Sequence, residues 1–167
     1  MKEIFSVILF SSLFIFNSCA SMSTEQVQTG PSEDIAKNIN PFYSDGCSRW
    51  PEGTKDKPFA WLGCCFEHDK AYWMGGSDWD RKLADRKLKQ CVSKNFSDWM
   101  GIVMYLGVRA GGSPSFETDY RWGYGWKYNR GYTPLTKKER EILMSFLPTA
   151  EDDIWDYITI PHYEDKE

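Results

Sequence analysis

Cys64-Cys65-Phe66-Glu67-His68-Asp69-Lys70-Ala71-Tyr72 places adjacent cysteines, a histidine, two carboxylates and a tyrosine within nine residues. Around it, Trp61, Cys64, Cys65, His68, Ala71 and Tyr72 recur at three- and four-residue spacing, which predicts a helix over about 59–74. Gly75-Gly76 ends that helix, and Ser77 or Asp78 can cap a second one running through Cys91. Leu83, Ala84, Leu88, Cys91 and Val92 would form its inner stripe, with Arg81, Lys82, Arg86, Lys87 and Lys89 left in water. So short a glycine-containing link makes the two helices antiparallel neighbours. The expected fold class is mainly α.

The chain has five cysteines. Cys19 ends an apolar leader, which leaves Cys47, Cys64, Cys65 and Cys91 as an even set, the mark of two disulfides in an exported chain. Of the three possible pairings, the one joining Cys64 to Cys65 is disfavoured, because neighbouring residues fall outside the usual Cα separation. Cys64 and Cys65 then reach separately, one to Cys47 and the other to Cys91. A tetrathiolate zinc site is the weaker alternative, since such sites want separated pairs and reducing surroundings.

Histidine is the side chain best suited to exchange a proton near neutral pH, and the chain has two, His68 and His162. A helix sets His68 and Tyr72 on one face. Asp85 lies on the second helix beside the small Ala84, and a bond from Cys91 to the first helix would bring it level with His68. An aspartate on the far ring nitrogen would fix the tautomer and steady an imidazolium. Asp69 lies about 100° further round the helix and faces the Tyr43–Ser48 loop. There a carboxylate and backbone carbonyls could satisfy a hard cation such as Ca²⁺, with Asp45-Gly46 supplying a tight turn.

The rest of the chain frames this pair. Residues 40–57 are rich in Pro, Gly, Asp and Ser and predict a shaped loop; Ile35, Ala36 and Ile39 before it allow one or two helical turns, stopped by Pro41. The apolar run Trp99–Val108 is a buried or an interfacial helix, with Ile102, Val103 and Leu106 assigned to the core. Alternating Gly and aromatics over residues 116–132 suggest a short β-hairpin or an aromatic-lined loop. A last helix carries Leu135, Ile142, Leu143 and Phe146. It is capped by Thr133 with Pro134 following, or by a Thr136–Glu139 capping box.

Ile4 to Phe16 is uncharged and shorter than the roughly 20 residues of a membrane span, so residues 1–18 are expected to be a signal peptide. Asn17-Ser18-Cys19-Ala20 resembles a lipoprotein signal ending, with Cys19 lipidated; ordinary secretion with cleavage near Ser21 is the alternative. The expected organisation is then a leader at 1–18, a tether and short helix at 19–40, one domain at 41–148 and an acidic, solvated tail at 149–167. A net charge of −4 lacks the basic footprint of a nucleic-acid binder. Eight Trp, nine Tyr and ten Phe suit a small core or a lipid–water boundary.

The quoted stretch resembles the Cys-Cys-x-x-His-Asp-x-Cys-Tyr signature of secreted phospholipases A2, and Ala84-Asp85-Arg86-Lys87-Leu88-Lys89-Gln90-Cys91 resembles the family's partner motif. The resemblance covers about residues 45–91. It implies a phospholipase A2-like fold, His68 as catalytic base, Asp85 as its orienting carboxylate and Tyr72 as the tyrosine steadying Asp85. It also implies disulfides Cys47–Cys65 and Cys64–Cys91. Ca²⁺ would bind Asp69 and loop carbonyls near Gly46, Ser48 and Trp50, and the activity would be hydrolysis of the sn-2 ester of glycerophospholipids at a membrane surface. Ala71 and Ala84 stand where the family has a mutually bonded cysteine pair, and Ser44–Gly53 departs from its glycine-rich calcium loop. The form is closer to bacterial phospholipase A2-like proteins, in Tyr72-Trp73-Met74-Gly75-Gly76 and in Arg121–Trp126. A lipid-anchored or secreted protein of the bacterial envelope is the expected setting. A non-catalytic lipid- or partner-binding lipoprotein on the same scaffold is the alternative.

Overall fold

The computed structural model of the chain describes residues 31–159; the leader, Cys19, the start of the tether and the tail end with His162 lie outside them. Regular structure is helical: α1 (Pro31–Asn38), α2 (Leu62–Met74), α3 (Asp78–Asn95), α4 (Asp98–Gly111), α5 (Lys137–Met144) and a 3₁₀ turn, Ile154–Tyr157. The expected mainly α class holds. No helix among the described residues is long and apolar enough to cross a membrane.

α2 and α3 run antiparallel, with Cys64 bonded to Cys91 at one end and Tyr72 beside Arg81 at the other. A second disulfide, Cys47–Cys65, ties the preceding loop to α2. Adjacent cysteines on a helix point about 100° apart, so the two bonds leave α2 in different directions. α2 starts three residues later than its periodicity suggested, because residues 58–61 form turns and the Trp61 indole donates to the Pro51 carbonyl at 2.6 Å. α3 is capped by Ser77, whose hydroxyl accepts from Asp80 N while the Asp80 carboxylate accepts from Ser77 N.

α4 folds back along α3, Gly101 lying against Lys89 and Ser93 and Arg109 reaching Asp85. Two neighbours widen the buried arc of α3, and this corrects its expected stripe: Arg81, assigned to water, is 2% exposed, while Leu83, assigned to the interior, is 40% exposed. α4 is corrected likewise. Its apolar residues go round the helix, but one partner covers only one side, so Met104 is buried while Ile102 and Leu106 face solvent.

The 116–132 segment forms no hairpin. Among the described residues there are only two isolated bridges, Ile39 with Trp126 and Ser44 with Ile158. The segment closes the C-terminal end of α2, where helix carbonyls lack intrahelical donors. Gly123 N donates to Tyr72 O at 2.7 Å and Gly125 N to Trp73 O at 3.2 Å. The Trp126 and Trp122 indoles donate to the carbonyls of Met74 and Gly76, each at 2.8 Å. Around this cap Ile35, Ile39, Phe42, Phe66, Trp73 and Leu143 form the main apolar cluster. α5 begins at the Thr136–Glu139 capping box and not at Thr133-Pro134, and Phe146 of its expected stripe is exposed. Glu151 to Asp153 are solvated as expected, but the chain then returns to the core: Ser44 N donates to Tyr157 O and Thr159 N to Ser44 O.

The two disulfides close stretches of 18 and 27 residues. Constraint of the unfolded chain assigns each about 3 kcal/mol. Cys64→Ala/Cys91→Ala and Cys47→Ala/Cys65→Ala should each lower the urea midpoint accordingly, and an unchanged midpoint would contradict that assignment.

Candidate active site

His68 and Tyr72 are four residues apart on α2, so their rings stack on one face, 4.2 Å between centroids. The antiparallel return of α3 sets Asp85 against them. His68 Nε2 lies 2.9 Å from Asp85 Oδ1, and the Tyr72 hydroxyl donates to the same oxygen at 2.8 Å. Asp85 Oδ2 accepts from Arg109 Nη1 at 2.6 Å. Arg81 backs the group: Nε donates to the Tyr72 oxygen at 3.1 Å, Nη1 to the Tyr132 hydroxyl, and Nη2 to the carbonyls of Val108 and Arg109. A Cβ at Gly112 would stand 2.6 Å from the Tyr72 hydroxyl oxygen, so glycine is what lets the end of α4 lie against Tyr72.

Asp85 has no solvent exposure. Burial by itself raises a carboxyl pKa, but hydrogen bonds from His68, Arg109 and Tyr72 outweigh it and hold Asp85 below the ordinary carboxylate value. An ionised carboxylate only accepts, so the neutral imidazole carries its proton on Nε2. Nδ1 is then the basic nitrogen, and it has no protein partner among the described residues.

Asp69 is in the opposite electrostatic state. It is buried, its Oδ2 accepts from Ser44 Oγ at 2.6 Å, and no cationic side chain pairs with it among the described residues. Burial pushes its pKa well above the usual range, and the charge of Asp45 adds to this. Ser44, itself fully buried, is fixed by its backbone bonds to Tyr157 and Thr159. The loop beyond it turns through Gly46 (φ 76°) and Ser48 (φ 58°), whose hydroxyl donates to Asp45 Oδ1 at 3.0 Å. Cys47 O accepts from Trp50 N, whereas the carbonyls of Gly46, Ser48 and Trp50 accept no hydrogen bond among the described residues.

His68, Asp69 and Tyr72 line one cavity of about 270 Å³. Gly46 to Trp50 form one rim, and Val103, Met104, Gly107 and Val108 of α4 form an apolar wall. The arrangement therefore combines an imidazole with a fixed tautomer, a buried carboxyl group without a cationic partner among the described residues and an apolar compartment. No three His, Cys, Asp or Glu side chains among the described residues converge to hold a metal. A cation at Asp69 would draw its other oxygens from backbone carbonyls. Asp69 lines the same cavity as Gly46, Ser48 and Trp50, and carboxylate with carbonyl oxygen is the donor set a hard cation takes.

Arg109, Arg81 and Ser44 were not singled out from sequence. Arg109 did leave a signal, being the sole charge between Trp99 and Gly112. Arg81 is one helical turn before Asp85, a spacing that could have been noticed. Ser44 left none, since the segment that fixes it is more than a hundred residues away.

Asp85→Asn should cost about 3 kcal/mol at pH 7, as expected for breaking a buried charge pair. A lowered folded-state pKa stabilises above the unfolded value and loses that contribution as pH falls through the folded one. The gap between wild type and variant in urea unfolding should thus close as pH drops below about 4. A gap independent of pH would show that Asp85 is not held as an anion.

Comparison of the chain with protein-family models, curated proteins and solved structures finds no match among any of them.

Proposed function

We propose that this protein is a calcium-dependent hydrolase of the phospholipase A2 type, cleaving the sn-2 ester of glycerophospholipids at a membrane surface. The observation that carries the proposal is one cavity lined by His68, by the uncompensated Asp69 and by an apolar wall from α4. A polar reacting end and an apolar compartment match the two ends of a phospholipid acyl ester.

His68 Nδ1 takes a proton from water, and the resulting hydroxide attacks the ester carbonyl carbon. The imidazolium is stabilised by Asp85, which Tyr72 and Arg109 hold in place. His68 then returns the proton to the departing alcohol, releasing fatty acid and lysophospholipid. Calcium, held by Asp69 and the carbonyls of Gly46, Ser48 and Trp50, would polarise the ester carbonyl and balance the phosphate charge. The acyl chain occupies the space beside Val103, Met104 and Gly107.

Trp99 and Leu106, 67% and 59% exposed, share with Ile102 the solvent side of α4, adjacent to the face that walls the cavity. No acidic residue lies between Trp99 and Gly111 to repel a lipid headgroup region. This side of α4 is therefore proposed as the contact with the phospholipid surface. Lipidation at Cys19 and an envelope location go with the leader and complete the proposal.

Release of fatty acid from mixed phospholipid vesicles tests it. Wild type should require calcium, and His68→Gln and Asp69→Asn should each lose at least about 100-fold. Calcium and lipid binding without turnover would instead mark a non-catalytic lipid-binding lipoprotein. A folded wild type with neither turnover nor calcium binding would overturn the enzyme proposal.

The contact surface has its own test. Trp99→Ser/Leu106→Ser should weaken vesicle binding at least about tenfold, from the loss of buried apolar area. Hydrolysis of a dispersed short-chain ester should change little, and equal loss on both substrates would argue against a lipid-contact role.

A further inference from the structure

Asp85 holds His68 through one oxygen only. Oδ1 takes both the imidazole and the Tyr72 hydroxyl, so those contacts restrain the carboxylate at one oxygen only, about a Cβ–Cγ torsion that is broad and soft in aspartate. A turn of that plane would carry Oδ1 away from Nε2 and release the choice of tautomer. The bond at the other oxygen, Arg109 Nη1 to Oδ2 at 2.6 Å, adds a second point of restraint against that turn. A charge-assisted bond at this second oxygen sets the plane.

Arg81 does not fill this role. It comes from the same helix as Asp85, its Nε is 4.0 Å from Oδ2, and its donors go to Tyr72, Tyr132 and the two α4 carbonyls. Arg109 comes from α4, the helix that walls the cavity with Val103, Met104 and Gly107. Its side chain is 24% exposed and has a second, looser anchor, Nη2 to Asp78 at 3.8 Å.

We infer that Arg109 is a positioning residue for His68: it acts through Asp85 Oδ2 to keep the Nε2–H tautomer, and so makes alignment of the base depend on the seating of α4. The inference rests on His68 acting as the base, but its physical content can be read without turnover. His68 and Tyr72 approach Asp85 from α2, Arg81 from α3 and Arg109 from α4, so the cation bonded to Oδ2 is carried by the helix that walls the cavity.

The experiment uses the full chain labelled with ¹⁵N in its histidine rings, His162→Gln assigning the two sets of signals. Wild type should show His68 as a single Nε2–H tautomer when neutral. Arg109→Gln should give a mixture of both tautomers, whereas Arg109→Lys and Asp78→Asn should keep the single form. In vesicle hydrolysis, Arg109→Gln should lower kcat at least tenfold with KM changed less than twofold, and Arg109→Lys should restore most of the loss. Arg109→Met, which keeps the stem packed along α4, takes the place of the Gln variant should the latter not fold. A folded neutral variant with the wild-type tautomer, or one affected in KM alone, overturns the inference. A shifted tautomer in a chain whose wild type hydrolyses no phospholipid upholds the positioning role and removes the proposed reaction instead.

Discussion

A carboxylate with no access to water stays ionised only if the protein supplies what the solvent would have supplied. Asp85 sits under that constraint, and three helices meet to satisfy it. α2 brings His68 and Tyr72, α3 brings Asp85 itself with Arg81 one turn before, and α4 brings Arg109. The contacts that keep the core electrostatically tolerable are the ones that fix the imidazole. Stability and site geometry therefore share a single set of bonds, and neither can be altered alone.

Asp69, one residue from His68, is treated in the opposite way. It too is buried, but it receives a neutral hydroxyl from Ser44, and its nearest charged influence is another carboxylate, Asp45. The contrast separates two buried carboxylates on neighbouring helices, Asp85 on α3 and Asp69 on α2. In the proposed reaction the compensated carboxylate would orient the base, and the one without a cationic partner would receive the cation. The disulfide from Cys47 and the return of the chain at Tyr157–Thr159 hold the loop against the second carboxylate. The tail thus supports the site, although its composition suggests only solvation.

The His68–Tyr72–Asp85 cluster was legible in sequence because it is local: helical spacing places His68 with Tyr72, and a short link returns Asp85 to their level. Much of the rest was not. Alternating glycine and aromatics over 116–132 left a short hairpin and an aromatic-lined loop both open; the segment is a loop, and its residues turn inward to supply donors to the carbonyl end of α2. Both uses place small and large residues in alternation, so the pattern cannot separate them. Arg81 looked like a surface residue because its spacing says nothing of how many neighbours a helix will have.

What the sequence by itself determined is the set of relations carried by short-range geometry. These are the two long central helices, the divergence of Cys64 and Cys65, and the placing of His68 and Asp69 on different faces. What only the tertiary structure decided is which groups meet across long separations: the disulfide partners, Arg109 on Asp85, Ser44 on Asp69 and the indoles on α2. It also decided which apolar face of α4 stayed in water. Periodicity orients a side chain about its own helix axis, but the number and position of the helices packed against that axis determine what it finds there.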